Sequence, residues 1–373
     1  MSTTVTTTLE AQVAKLELGP STPTPSTTEN SVSQLKEPAK LSGIWDQEET
    51  FAVTPIIGQE FPKVQLKHIL AKENADEYFK ELATIVSRRN VVFFRAQDLT
   101  IDQLQEIGDK IHVLGGAPKV SGHHVHPVPN NPQTDIPGNV REISSEDIKQ
   151  GYAWRDQTFK NDLWHSDITF EPVPSDYALL QIHTLPETGG DMLWASGYEV
   201  YDRLSKPFQE LLEETETVHD GSAFQKVAER LQYGDLITTP RGHPLNIGRE
   251  LKTTHPTIRT NPVTGWKSVF VNGGFSKEIV GLTEPESNLV KDHLKQILNR
   301  NHDLTVRFKW NKNDLAIWDN RSSFHTATND FGGATRIGNR VCTLGEKPYF
   351  DANSTSRTQG LAQEQESGIK VKF

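Results

Sequence analysis

Across 373 residues the chain has one cysteine, Cys342, so no intrachain disulfide can form. That suits a reducing compartment, and a cytoplasmic protein is the expectation. Cys342 follows Val341 in an apolar run with no base beside it, which reads as a core thiol rather than a nucleophile. Positive charge is also short: 39 lysines and arginines face 49 acidic residues, a formal net charge of -10. Nucleic-acid binding depends on cations that neutralise phosphates, so that class of partner is excluded. Long apolar runs are missing too. Nothing approaches the roughly 20 residues of a membrane span, and residues 1–9 are a threonine-rich polar stretch rather than a basic and then apolar leader. The length is sufficient to bury one large core without covalent staples. The oligomeric state stays open at this level, a homo-oligomer included.

Residues 1–42 are rich in Thr, Ser, Pro and Glu and poor in aromatics, so they bury too little apolar surface to offset the entropy of ordering. We expect a disordered polar tail there and a single domain over 43–373. Apolar spacing at Tyr78, Leu82 and Ile85 predicts a helix over 74–88, followed by a buried strand at Val91-Val92-Phe93-Phe94. A second helix is predicted over 101–112, ending near Gly115-Gly116. Short strands are expected at 177–182, 268–271, 305–310 and 315–318, between Gly, Pro, Asn and Asp turn signals. This spacing favours a mainly β fold, a double-sheet architecture with helices packed outside.

The local sequence with the most chemistry is Trp164-His165-Ser166-Asp167-Ile168-Thr169-Phe170. In extended backbone, side chains two apart share a face, so His165 and Asp167 would converge on one ion while Ser166 points away. With 13 histidines and 49 acidic residues the pairing alone is weak. Downstream, Trp318-Asp319-Asn320-Arg321-Ser322-Ser323-Phe324-His325 offers a third ligand, His325. Two imidazoles and a carboxylate on one face of an octahedron leave the opposite positions open, as non-haem Fe(II) oxygenases require. Zinc could take the same ligands and activate water. Arg336 and Arg340 favour the redox reading, because a guanidinium grips a carboxylate cosubstrate through paired hydrogen bonds. They lie four apart, on one side of a strand or a helix.

On these blocks, together with Leu185-Pro186-Glu187-Thr188-Gly189-Gly190-Asp191, Phe270-Val271-Asn272 and Gly345-Glu346-Lys347-Pro348, the chain resembles the TauD/TfdA family of 2-oxoglutarate-dependent dioxygenases over about residues 65–350. Within it the likeness is to taurine and alkylsulfonate dioxygenases, fungal members included. The resemblance implies a double-stranded β-helix, a jelly-roll relative, with His165, Asp167 and His325 holding Fe(II) and Arg336 binding the distal carboxylate of 2-oxoglutarate. It implies a pocket for a small anionic substrate in which His126 and Arg340 meet a sulfonate, Asn161 is a polar lining residue, Ile168 replaces a small aliphatic, and Phe224 and Phe270 are apolar walls. The implied reaction consumes O2 and releases succinate and CO2. A hydroxylated carbon bearing a sulfonate would then collapse to an aldehyde and sulfite. An oxidase of another small acid or an amino acid is the alternative. Asp167 argues against a halogenase, which lacks the carboxylate ligand. Two departures stand out: Met192 occupies the position where the family usually has a threonine beside 2-oxoglutarate, and Pro129 replaces a tyrosine near the sulfonate. The loop over 130–152 is longer and more polar than in the bacterial enzymes, as a lid would be.

Overall fold

The computed structural model describes residues 36–153 and 164–368. Contacts divide the chain into Met1–Gln34, which lies outside the described residues, and Leu35–Phe373. Most of the expected polar tail therefore falls outside the description. Its last part, 36–42, runs against the rest: Ala39 N donates to Val263 O at 2.9 Å, and Ser42 and Gly43 donate to the Glu81 carboxylate.

In chain order the first elements are β1 (Phe51–Ala52), β2 (Gln59–Phe61), α1 (Leu66–Leu70), α2 (Ala75–Arg89), β3 (Val91–Phe94) and α3 (Ile101–Leu114). There follow β4 (Arg141–Ser144), α4 (Ser145–Gly151), β5 (Ser175–Thr184), β6 (Met192–Ser196), α5 (Gly197–Asp202), α6 (Lys206–Glu213), β7 (Glu216–Asp220) and α7 (Ala223–Leu231). The remainder comprises β8 (Lys252–Pro256), β9 (Ile258–Thr260), β10 (Lys267–Val269), β11 (Ser276–Ile279), α8 (Glu284–Arg300), β12 (Thr305–Phe308), β13 (Asp314–Asp319), β14 (Ser323–Ala327), β15 (Ile337–Leu344) and α9 (Arg357–Glu366).

The architecture is mixed α/β with several sheets, so the helical share exceeds the mainly β expectation. A seven-stranded sheet runs β1-β2-β3-β13-β5-β15-β4, antiparallel except for the β2/β3 pair. A three-stranded sheet, β12-β6-β14, provides the second surface that matters for the site. Two smaller sheets, β11-β7-β8 and β10-β9, complete the set.

Residue alternation assigns the two faces of the large sheet. Val92, Phe94, Leu179, Leu315, Ile317 and Val341 pack with Phe79, Leu82 and Val86 of α2 and Ile107 and Ile111 of α3. Phe93, Ala178, Leu180, Ala316, Trp318 and Cys342 face the other way, onto Trp194 and Phe308 of the small sheet. Phe93 stacks on Phe308 at 4.1 Å and meets Trp194 edge-on at 5.4 Å, which joins the two sheets by aromatic contact. On the far side of the small sheet, Ala195 and Phe324 pack with Val290 and Leu294 of α8. Because both faces of the large sheet are covered, β3 reads as an unbroken apolar run instead of an alternating one.

Capping accounts for several helix starts. Thr100 with Gln103 forms a reciprocal capping box at α3, and Thr283 with Glu286 does so at α8. The extended reading of 164–170 is corrected. Only His165 bridges, to His325; a turn begins at Asp167, and Ile168 takes φ 66, a left-handed value that β-branched residues rarely adopt.

Candidate metal centre

His165 and His325 exchange backbone hydrogen bonds, His165 N to His325 O at 3.0 Å and His325 N to His165 O at 2.8 Å. That bridge sets their rings side by side, centroids 4.2 Å apart. The turn then folds the Asp167 carboxylate back onto the pair. Its Oδ1 lies 3.9 Å from His165 Nε2, and its Oδ2 lies 3.6 Å from His325 Nε2. The three donors fall within 4.8 Å of one another. Convergence of His165 and Asp167 thus comes from a bridge followed by a turn rather than from strand alternation. Ser166 does point away, its Oγ donating to Ser323 O at 2.7 Å.

The turn is pinned from behind by a residue that the sequence alone did not single out. Asn320 Oδ1 accepts from Asp167 N and from Trp318 Nε1, each at 3.0 Å, while its Nδ2 donates to Ser175 Oγ. The Trp318-Asp319-Asn320-Arg321 block therefore fixes the backbone of a ligand residue. The Phe270-Val271-Asn272 block acts similarly through Asn272, whose Oδ1 receives Gly274 N and Phe275 N and presents Phe275 to His165 at 6.0 Å.

Electrostatics suit a cation here. Burial would raise the Asp167 carboxyl, but Arg340, His325 and His165 outweigh it and hold it below its ordinary value. Burial, aided by His165 and Arg340, pushes His325 down to about 3, so it stays a neutral imidazole, the form that ligates metal. Asp167 Oδ2 is buried with no hydrogen-bond partner among the described residues, a costly arrangement that a bound cation would relieve.

Arg336 precedes β15 and is buried, its Nε donating to Gly190 O at 2.9 Å and its backbone paired with Ser145. Its Nη2 is buried without a hydrogen-bond partner among the described residues. Burial lowers its pKa to about 10, so it remains a cation at neutral pH. Gly190 is required beside it: φ is 73, and a Cβ there would sit 2.9 Å from Arg336 Cδ. Met192 is buried in β6 opposite Ala327, two residues from Trp194, which pairs with His325.

Arg340 does not stand free. Its Nη1 donates to Asp167 Oδ1 at 2.6 Å. His126 is half-buried and edge-on to Phe224 at 4.9 Å; its Nδ1 lies 3.0 Å from both Val128 N and Val128 O, and burial holds its pKa well below the ordinary value. Ile168 and Phe224 join Phe170 in the core cluster between the sheets. Phe270, expected as an apolar wall of the pocket, packs with His219, His255 and the Arg259 guanidinium, while Phe275 is the phenylalanine beside His165. Asn161 lies outside the described residues. A cavity of about 270 Å³ lined by Tyr201, Asp202, Lys267 and Ser356 shares no residue with this cluster, and we assign the site by its chemistry. Among the described residues no helix is long and apolar enough to cross a membrane.

Comparison with known proteins agrees with the geometry. Residues 49–342 match the family described as taurine catabolism dioxygenase TauD, TfdA family. The chain is 46% identical over 342 residues to the alpha-ketoglutarate-dependent dioxygenase btcD of Neocamarosporium betae, covering 87% of this chain and 98% of that protein. It is 30% identical over 306 residues to an alpha-ketoglutarate-dependent sulfonate dioxygenase of Saccharomyces cerevisiae, covering 80% and 67%. The crystal structure of a taurine dioxygenase from Burkholderia xenovorans superposes with a TM-score of 0.59 at 24% identity, over 82% of this chain and 93% of that one, which establishes likeness of fold. With an iron-type donor set, two of whose three residues are buried, and most of its length inside the family match, the chain belongs to the TauD/TfdA family and is an Fe(II)- and 2-oxoglutarate-dependent dioxygenase.

Proposed function

We propose that the enzyme oxidises a small organic acid other than a sulfonate, on a scaffold of the double-stranded β-helix type. The large and small sheets facing each other across one aromatic core support that view of the fold. In this reading His165, Asp167 and His325 hold Fe(II), which when bound supplies the redox step coupling 2-oxoglutarate decarboxylation by O2 to substrate hydroxylation. Arg336 grips the distal carboxylate of 2-oxoglutarate through its unpartnered Nη2. Met192 gives that cosubstrate an apolar neighbour where a hydroxyl would otherwise donate. Ile168, Phe224 and Phe275 shield the reacting carbon from water, and His126 offers a neutral imidazole to the substrate.

The observation that carries the choice is the Arg340–Asp167 contact. A sulfonate needs several strong donors once desolvated, yet Arg340 spends Nη1 on a carboxylate, and Pro129 supplies no hydroxyl where the family resemblance implies a tyrosine. Similarity points the same way: the relative at 46% identity carries no sulfonate in its name, and relatives named for sulfonates are at 35% and 30%. A panel of carboxylic acids, amino acids, taurine and alkylsulfonates, scored for substrate-dependent succinate and for sulfite, tests it. Succinate release with carboxylates or amino acids and no sulfite is expected. Turnover confined to sulfonates would restore the taurine-like reading.

A further inference from the structure

We infer that Arg141 is a second cationic anchor in the substrate pocket, where it binds an oxyanion of the substrate. This rests on the small-acid reading above and names where the acid is held. Register carries the argument. Arg141 of β4 lies directly opposite Arg340 of β15 in an antiparallel pair. Residues so opposed project from the same face of a sheet. The face is the one toward the metal, because Arg340 reaches Asp167 from it, and Cys342, two residues on, belongs to the core between the sheets. Ile143, two residues from Arg141, packs against the same core.

Like charges directly opposite repel, and each needs compensation. Arg340 has the Asp167 carboxylate. Arg141 has only neutral acceptors among the described residues: its Nη1 donates to Val128 O and Pro129 O, each at 2.9 Å, and to Asn130 Oδ1 at 3.2 Å. Asp147, an acid whose charge reaches it, receives the Tyr233 hydroxyl at 2.7 Å. The hydrogen bonds of Arg141 thus run through one nitrogen, and the rest of its planar fork is uncommitted. Those bonds also tie it to the segment that begins at His126, whose ring stands on Phe224. Arg141 and the His126 imidazole therefore belong to one stretch of wall, beside the metal cluster. A half-buried guanidinium whose hydrogen bonds reach no carboxylate among the described residues is a poor device for stability, and it is a good receptor for a carboxylate supplied by a ligand.

The test compares wild type with Arg141→Gln and Arg141→Lys, loaded with Mn(II) and 2-oxoglutarate under argon, by calorimetric titration of matched probes: hexanoate against hexanamide and phenoxyacetate against phenoxyacetamide. The affinity for 2-oxoglutarate is measured alongside, and the Fe(II) forms are scored for succinate. Wild type should prefer each acid to its amide. Losing one charge-assisted contact should weaken acid binding by about tenfold or more in Arg141→Gln. The amide should be unaffected, so the preference collapses, and Arg141→Lys should recover part of it. A role confined to holding the 128–130 loop would lower acid and amide together. Acids bound equally well by wild type and Arg141→Gln would overturn the inference and leave the small-acid reading intact. Acids neither bound nor oxidised by wild type, while sulfonates are, would overturn that reading and the inference with it.

Discussion

Gly190 places a residue-scale constraint on the cosubstrate site. A methyl group there would meet Arg336 Cδ at 2.9 Å, and the backbone, at φ 73, is costly for any side chain by about 1–2 kcal/mol. Gly190→Ala should displace Arg336 and raise the KM for 2-oxoglutarate about tenfold, the equivalent of about 1.4 kcal/mol. Metal affinity should not move, since no ligand adjoins the change. An unaltered KM would separate Arg336 from the cosubstrate. At this scale the ligand types were legible: a histidine, a carboxylate two residues on and a distant histidine form a pattern that few roles explain. Asn320, Phe275 and Arg141 were not legible. Their parts depend on partners 153, 110 and 199 positions away in sequence, at Asp167, His165 and Arg340.

Elements were legible where packing alone decides them. The 74–88 helix is α2, the Val91-Val92-Phe93-Phe94 run is β3 with the same ends, and the 101–112 helix is α3. The strands that carry the site were harder to see. In β14 the sequence Ser-Phe-His-Thr-Ala and in β15 the opening Ile-Gly-Asn-Arg replace apolar alternation with polar residues, because function occupies positions that would otherwise mark a strand. The site depends on these strands staying in register with β6 and β5, and the sheets are joined by Phe93. Phe93→Ala should cost about 3–5 kcal/mol in urea unfolding, from lost burial plus a cavity. A loss under about 1 kcal/mol would mean the core between the sheets is not the main tie between them.

For the whole molecule, acid should act through buried histidines before it reaches the carboxylates. Burial, with Arg259, holds His255 at about 3, and burial holds His219 well below its ordinary value. The unfolded chain takes up protons near pH 6.5 while these folded sites do not. Stability is therefore full above pH 6.5 and falls as the pH drops, at up to about 1.4 kcal/mol per pH unit for each such histidine. His112 works the other way: burial would lower it, but the Asp176 carboxylate raises it, so it gains stability as the pH drops and offsets one such histidine. Asp176 opposes burial through His112, Arg321 and Thr343 and sits at about 2, so its contribution is retained until the pH falls below about 4. Urea unfolding of chelated protein should show declining stability from pH 7 to 5. His255→Gln, which keeps a donor for Thr169 O and Glu171 O, should flatten that slope. A flat profile in the unmodified chain would contradict it.

The claim on which the rest depends is that one metal cluster runs a 2-oxoglutarate-dependent oxidation, and Asp167 tests it most directly. Succinate release should be measured for wild type and Asp167→Ala with Fe(II), 2-oxoglutarate, O2 and an acid that wild type turns over, together with calorimetric Co(II) binding to both. The account predicts that wild type requires both Fe(II) and 2-oxoglutarate, and that Asp167→Ala releases succinate only at background and loses most of its Co(II) affinity. Full succinate release and unchanged Co(II) binding in Asp167→Ala would contradict it.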